Sequence, residues 1–440
     1  MRRNTSSSRA SPRKNKNIII THPLAHSCDT CKCATRTKKH SHALFVLFSI
    51  VKILLVWNFF GAKKLNRIEL NRYGQHNNMN VCGASRIAGF EDGVSDVRFS
   101  ARGGDETILA AGSWDSCVHV FTLRSGEGVQ RACTPLRNGG PVLGVDVMGD
   151  AGVVSASLDT SVTLHDVETG AREILGVHAN GASCVRVVNA AGNAAVVVSG
   201  GFDGFMRVFD ARASPGQSRE VAAMRLPGKC YGVAATQEAA VAVTSGRKAV
   251  SFDLRHGVTD DMAPAREVAL PFQPRCVSMT AKAASSTSGV LRDVADNGSV
   301  FAVGGCEGKC SIEPLGLAQD NERIGGTPKP FSFRCHRRQS DNVVFPVHAA
   351  AFHPHKSVVF TGGGDGFVNA WDWRARKRVF QYARYPTSVA ALAVNDEGNM
   401  LAVAASYAYE QGDVVQRPAR DELFIRPILD EEISTKPRKA

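Results

Sequence analysis

Apolar and polar positions recur along this chain in one repeated order. AAGSWDSCVHVFTL (110 to 123), VSASLDTSVTLHDV (154 to 167), VSGGFDGFMRVFDA (198 to 211) and FTGGGDGFVNAWDW (360 to 373) align with one another. Each holds an apolar run, two small residues, a variable residue, an Asp, a two-residue turn and an alternating run, usually with a closing Asp. This order predicts strand, tight turn, strand. The small residues end the first strand, and the Asp carboxylate accepts backbone hydrogen bonds across the turn. Alternation in the second strand sets Val118 and Val120 opposite to His119 and Phe121. Asp115, Asp159 and Asp203 recur every 44 residues, the period of a four-stranded propeller blade.

Weaker copies fill the gaps. VAVTSGRKAVSFDL (241 to 254) and FAVGGCEGKCSIEPL (301 to 315) carry Arg247 and Glu307 where the turn Asp is expected. LAVAASYAYEQGD followed by ELFIRPI makes the seventh copy. Two spacings are stretched by the polar insertions 281 to 289 and 316 to 329, which map to blade loops. The expected fold is all-β, a seven-bladed β-propeller over residues 79 to 432, with an N-terminal extension, 1 to 78, and a tail, 433 to 440. SRIAGF, just after Met79, is placed to supply the outer strand of the last blade and so close the ring, hiding the sheet edges. The repeat Asp residues then read as scaffold, none as catalytic.

Charge changes the picture only at the N-terminus. The whole chain carries +12, but residues 1 to 78 hold 15 Lys and Arg against 2 Asp and Glu, leaving 38 against 39 for the remainder. The near-neutral body has no net drive towards nucleic acid, and direct DNA binding is not expected. The extension contains CDTCKC (28 to 33) and the apolar run Ala43 to Ala62, long enough to span a bilayer. Lys52 near its centre costs roughly 2.5 to 3.5 kcal/mol on insertion. Insertion would follow ten Lys and Arg before the run against four between Lys63 and Arg72. That leaves the N-terminus cytosolic and the body across the membrane. Such a placement conflicts with a body holding nine of the chain's twelve Cys without pairing rhythm, a pattern of free buried thiols in a reducing compartment. The expectation adopted is that the native protein starts at Met79 and that membrane contact requires residues 43 to 62 to be present and inserted. Cys28, Cys31, Cys33, His40 and His42 lack a second Cys pair at zinc-ribbon spacing and are read as chance.

No GxxxxGK[ST], GxSxG or HExxH motif and no paired Cys ligands occur in the body. The one candidate dyad is Cys335 beside His336 in PFSFRCHRR (330 to 338). In a strand, Phe331, Phe333 and Cys335 share one face while Ser332, Arg334 and His336 share the other, so the two point apart. Cys335 reads as a small buried hydrophobe, and His336 as either blade packing or a surface group. Arg334, flanked by aromatics, suits bidentate recognition of carboxylate or phosphate. Pairing with an Asp between blades is the other reading, and the sequence leaves the two open.

FEDGVSDVRFS (90 to 100), GSWDSCVHVF (112 to 121), FSFRCHR (331 to 337), the stretch 365 to 413 and LFIRPILDEE (423 to 432) resemble, in order, the WD-repeat mitotic checkpoint adaptors of the Bub family, Bub-three. The resemblance covers roughly residues 86 to 432. It implies a non-enzymatic seven-bladed WD-repeat propeller without cofactor or metal, which docks a short GLEBS motif across one face. The checkpoint branch also reads phosphothreonine in Met-Glu-Leu-Thr repeats of a kinetochore scaffold. By correspondence with the family, Trp114 and Phe202 are aromatic anchors for GLEBS, and Arg275 pairs with its glutamate. Lys309 and Arg334 fall at the two phosphate-gripping basics. Phe202 replaces a common Trp and Lys309 a common Arg, so the bidentate fork is lost at 309. The implied partners are a checkpoint kinase or pseudokinase, a phosphorylated kinetochore scaffold and the mitotic checkpoint complex, with ubiquitin binding also compatible. The implied location is nucleus and kinetochore with a cytoplasmic pool. A sister family, the messenger-RNA export adaptor of the nuclear pore, shares the propeller and GLEBS site and would bind a nucleoporin. DGFVNAWD and RYPTS (384 to 388) lean towards the checkpoint branch. A membrane-anchored scaffold using Ala43 to Ala62 is the third reading.

Overall fold

The computed structural model describes residues 84–100, 106–124, 128–149, 151–190, 194–213, 218–280, 300–316, 329–409 and 420–434. The chain separates into the units Met1–Lys52 and Ile53–Ala440, and every described residue lies in the second. The apolar run 43 to 62, the CDTCKC stretch and most of both polar insertions fall outside the described residues. Among the described residues no helix is long and apolar enough to cross a membrane. Nor does any group of three His, Cys, Asp or Glu side chains among them suit a metal ion.

Among the described residues seven four- or five-stranded antiparallel sheets succeed one another, their strands running from the inside of the ring to its rim, with a two-stranded ribbon, Arg337–Arg338 and Val343–Val344, between the fifth and sixth. Blade one begins at Val94–Phe99, blade two at Val142–Met148, blade three at Ala182–Ala190 and blade four at Cys230–Ala235. Blades five, six and seven begin at Pro274–Met279, Val347–Phe352 and Val389–Val394. The seven repeat copies each supply the second and third strands of one blade, as the spacing predicts. The second strands are the most deeply buried: Ala239–Thr244, Val300–Gly305 and Val358–Gly363 are buried at every position. Outer strands such as Arg266–Ala269 alternate between half-buried and exposed.

Apolar burial is divided into seven wedges, each between two neighbouring blades. In Cys117–Arg124 the alternation works as read: Val118 and Val120 join the wedge towards blade two, Phe121 the wedge towards blade seven. Close approach of the inner strands requires small residues. A Cβ on Gly144 would lie 2.8 Å from the Cα of Cys184 in the next blade, nearer than van der Waals contact allows.

The last sheet contains a strand from the other end of the chain. Ser85–Ile87 pairs antiparallel with Glu422–Pro427, placing Ser85 opposite Ile425 and Ile87 opposite Leu423. Arg86 forms an ion pair with the buried Glu422. SRIAGF therefore closes the ring as the sequence suggested. A short helix, Asp430–Ile433, follows and lies against blade six. Its Glu432 accepts from the Arg426 guanidinium at 2.5 Å and from the Tyr382 hydroxyl at 3.2 Å, and Ile433 is buried.

All eight described cysteines are free; five are buried, while Cys133, Cys276 and Cys306 are half-buried. The register corrects one position in the repeat. Third strands start two residues after Asp115, Asp159 and Asp203, and the intervening Ser116, Thr160 and Gly204 are left-handed. In blade four the left-handed residue is Arg247 and the strand starts at Lys248. Gly246, not Arg247, thus occupies the Asp position.

Candidate partner-binding face

The turn aspartates act as read. One oxygen of Asp115, Asp159, Asp203 and Asp365 accepts the amide of Cys117, Ser161, Phe205 and Phe367 at 2.8 to 3.1 Å. A histidine partner was not legible in the repeat. His178 Nδ1 lies 3.1 Å from the Asp203 carboxylate, with Nε2 2.7 Å from Ser199 Oγ. Burial alone would push the Asp203 carboxyl up, but His178 and the amides of Ala179 and Phe205 hold it below its ordinary value.

In blade six the chain of bonds is longer. The Trp371 indole donates to Thr361 Oγ1 at 3.0 Å. That hydroxyl lies 2.9 Å from His336 Nε2, and His336 Nδ1 lies 2.8 Å from Asp365. The bonds thus run in the order Trp371, Thr361, His336, Asp365, from one strand of the blade to its turn. The strand Phe331–Arg334 ends before Cys335, and His336 is left-handed at φ 49°. Alternation therefore stops there, and Cys335 and His336 are both buried. Of the two readings left open for His336, blade packing holds, and the face it was expected to share with Arg334 is not shared. Burial pushes the Cys335 thiol far up, which favours the protonated, weakly nucleophilic form.

The five candidate partner-binding residues share one face of the propeller. In a four-strand meander the turns after second strands and the connections after fourth strands lie at the same end. Trp114 and Phe202 occupy the turns after the second strands of blades one and three. Arg275 is near the start of blade five's first strand, Lys309 starts its third, and Arg334 ends its fourth. Within blade five, Pro274 pairs with Gly305, Gly305 with Lys309, and Lys309 with Arg334. Arg275, Lys309 and Arg334 thus form a radial basic row from the channel to the rim.

Their surroundings differ. Trp114 is half-buried at the seam of blades seven and one. A Cβ on Gly93 would meet its Cδ1 at 3.7 Å and Ser406 Oγ at 3.4 Å. Phe202 is half-buried, edge-on to Tyr231 of blade four at 6.4 Å between centroids. Tyr231, which sequence reasoning passed over, extends the aromatic surface at Phe202. Arg275 hydrogen-bonds the Cys306 thiol, which burial pushes up and Arg275 partly pulls back. Lys309 is already engaged, its Nζ 3.0 Å from Glu307 Oε2. Glu307 stands at the turn position but reaches to Lys309 instead of capping the turn. Arg334 is exposed, and its side chain makes no hydrogen bond or ion pair among the described residues. The alternative of an Asp partner between blades is not realised there.

Comparison with known proteins agrees with this architecture. The WD domain, G-beta repeat family matches residues 330–372, from the outer strand of blade five to the third strand of blade six. Over 350 residues the chain is 31% identical to "Mitotic checkpoint protein BUB3.1" of Arabidopsis thaliana, covering 79% of this chain and 93% of that protein. It is 30% identical over 349 residues to "Mitotic checkpoint protein bub3" of Dictyostelium discoideum, covering 78% and 93%. The "Poly(A)+ RNA export protein" of Schizosaccharomyces pombe is 28% identical over 359 residues, covering 79% and 91%. At 31% identity over 93% of the Arabidopsis protein, the chain belongs to the Bub-three family of WD-repeat scaffold proteins, whose sister branch is the messenger-RNA export adaptors.

Proposed function

We propose that this protein is a non-enzymatic adaptor of the spindle assembly checkpoint, acting in the nucleus and at kinetochores, with a cytoplasmic pool. A GLEBS-type segment of a checkpoint kinase or pseudokinase crosses the face that carries Trp114, Phe202 and Arg275. Trp114 and the Phe202–Tyr231 pair bury its apolar side chains, and Arg275 meets its glutamate. Arg334, with Lys309 opposite it, grips a phosphothreonine of the kinetochore scaffold. The observation that carries the reading is the radial basic row on blade five, together with two half-buried aromatics on the same face. An exposed guanidinium without a partner among the described residues is ready to form two parallel bonds with a phosphate. Lys309 must first give up Glu307, so phosphate affinity is lower than a free pair of cations would supply. The checkpoint names of two relatives support this branch.

The export reading, in which the same face holds a nucleoporin segment, is supported by the name of the fission yeast relative. Affinity purification from dividing cells separates the two. The wild-type chain should capture a checkpoint kinase and a phosphorylated scaffold. Arg275→Glu should lose the kinase, and Arg334→Ala should lose only the scaffold. Capture of nucleoporins without checkpoint proteins would overturn the checkpoint assignment in favour of export.

A further inference from the structure

The opposite face of blade six carries a second basic site that the family reading does not use. There the turn after the first strand, residues 353 to 357, meets the turn after the third, 373 to 376. Trp373 N donates to Ser357 O at 3.1 Å, and Ala375 N to Asp372 Oδ1 at 2.8 Å. Arg374, Arg376, Lys377 and Arg378 follow one another around this turn and into the outer strand. None of the four side chains makes a hydrogen bond or ion pair among the described residues. The Arg376 guanidinium stacks 4.4 Å from the ring centroid of Phe331 in blade five, and Arg374 lies 5.3 Å from that of Trp373. Stacking fixes the planes of both guanidiniums.

Three buried donors here lack a partner: Trp373 Nε1, Arg374 Nε and Arg374 Nη2. Native proteins rarely leave buried donors unmatched. All three are N–H groups that need an acceptor; as buried atoms they lie beneath the exposed Arg376, Lys377 and Arg378, which are the groups an incoming segment meets. The nearby carboxylates do not supply the acceptor. Asp372 is buried and takes the Ala375 amide, and Asp430 lies 3.9 Å from Lys356.

We propose that this turn is a docking site for an acidic protein segment bearing carboxylates or phosphates, on the face opposite the one assigned above and independent of it. RARKR (374 to 378) is not an extended basic peptide for a transport receptor to read, because it is folded between paired strands, with Asp372 opposite Lys377 and Trp371 opposite Arg378. Nucleic acid fits less well than an acidic segment. Affinity for a nucleic-acid backbone grows with the number of phosphates neutralised, whereas this patch covers two turns of one blade on a near-neutral body. Its aromatic faces are also occupied by guanidiniums and unavailable to stack bases.

The test uses the full-length chain and a fluorescent ten-residue peptide of alternating glutamate and phosphoserine, with oligouridylate as the second probe. The basic N-terminal extension is common to all variants, so differences between them report the patch. Arg376→Ala/Arg378→Ala should weaken the peptide at least fivefold, and Arg374→Lys at least threefold, with melting temperatures unchanged. Hydrogen exchange should slow at residues 373 to 378 when the peptide binds. Equal affinity of wild type and both variants, or protection confined to residues 1 to 78, overturns the proposal. Variant-sensitive binding of oligouridylate without peptide binding overturns it in favour of nucleic acid.

Discussion

Blades five and six meet within three consecutive residues whose side chains go separate ways. Arg334 ends the outer strand of blade five, exposed and without a partner among the described residues. His336, two residues later, is 4% exposed and bonded to Asp365 and Thr361 of blade six. Blade six has an acceptor for each donor in its indole, hydroxyl and imidazole chain. Blade five has Glu307 where the acceptor would stand, no histidine, and a carboxylate drawn to Lys309. On this face, a network that uses its polar atoms internally holds blade six together, and blade five, which leaves cations at its edge, has them available for a partner.

That contrast can be broken in several ways. Acid should act first on histidines buried neutral. Burial pushes His353 of blade six and His165 of blade two down to about 4 from an ordinary 6.5. For a lowered folded value, the unfolded chain binds the proton more readily. Stability is then whole above about pH 6.5 and is lost as pH falls towards 4, at roughly 2 to 3 kcal/mol per histidine. Hydrogen exchange between pH 6.5 and 4.5 should loosen blade six before blade five, and equal loosening would remove the distinction. Asp365→Ala should cost about 2 to 3 kcal/mol in denaturant unfolding, since it strands the His336 donor and the Phe367 amide. A loss under about 0.5 kcal/mol would mean the network carries little. On the binding side, Trp114→Ala should weaken a GLEBS peptide by about 2 kcal/mol or more if the ring is an anchor, and unchanged calorimetry would take it out of the site. Arg334→Ala should cost about 1.5 kcal/mol or somewhat more against a phosphothreonine peptide and nothing against its unphosphorylated form. Equal losses would remove the phosphate-reading role. The smallest effect is a gain. Glu307→Gln frees Lys309 and should tighten the phosphopeptide by about 0.5 kcal/mol, whereas weakening would show that Glu307 positions Lys309 productively.

Much of this fold could be read from the chain because propeller blades repeat a local rule. The small residues, turn Asp and alternating run are all decided within some fourteen positions, and so survive without knowledge of neighbours. Closure by Ser85–Ile87 was legible for a related reason: seven copies leave one outer strand missing, and only the residues after Met79 remained to supply it. What failed depended on contacts between blades or on single backbone angles. His336 was grouped with Arg334 by alternation, its role left open, because a left-handed residue cannot be seen in alternation. Arg247 was given the Asp position because a one-residue shift leaves the local pattern nearly intact. His178 and Tyr231 stay silent in sequence, since their partners Asp203 and Phe202 lie in adjoining turns that only the folded ring brings together.

The strand that completes the last blade also sets a timetable. Ser85–Ile87 leaves the ribosome about 340 residues before Leu423 and Ile425, its partners, are made. At roughly 5 to 20 residues per second, it waits on the order of half a minute with its hydrogen-bonding edge unpaired. By the end of that interval six blades can be complete while the ring is still an open arc, and the molecule is most exposed to wrong pairing just before it is finished.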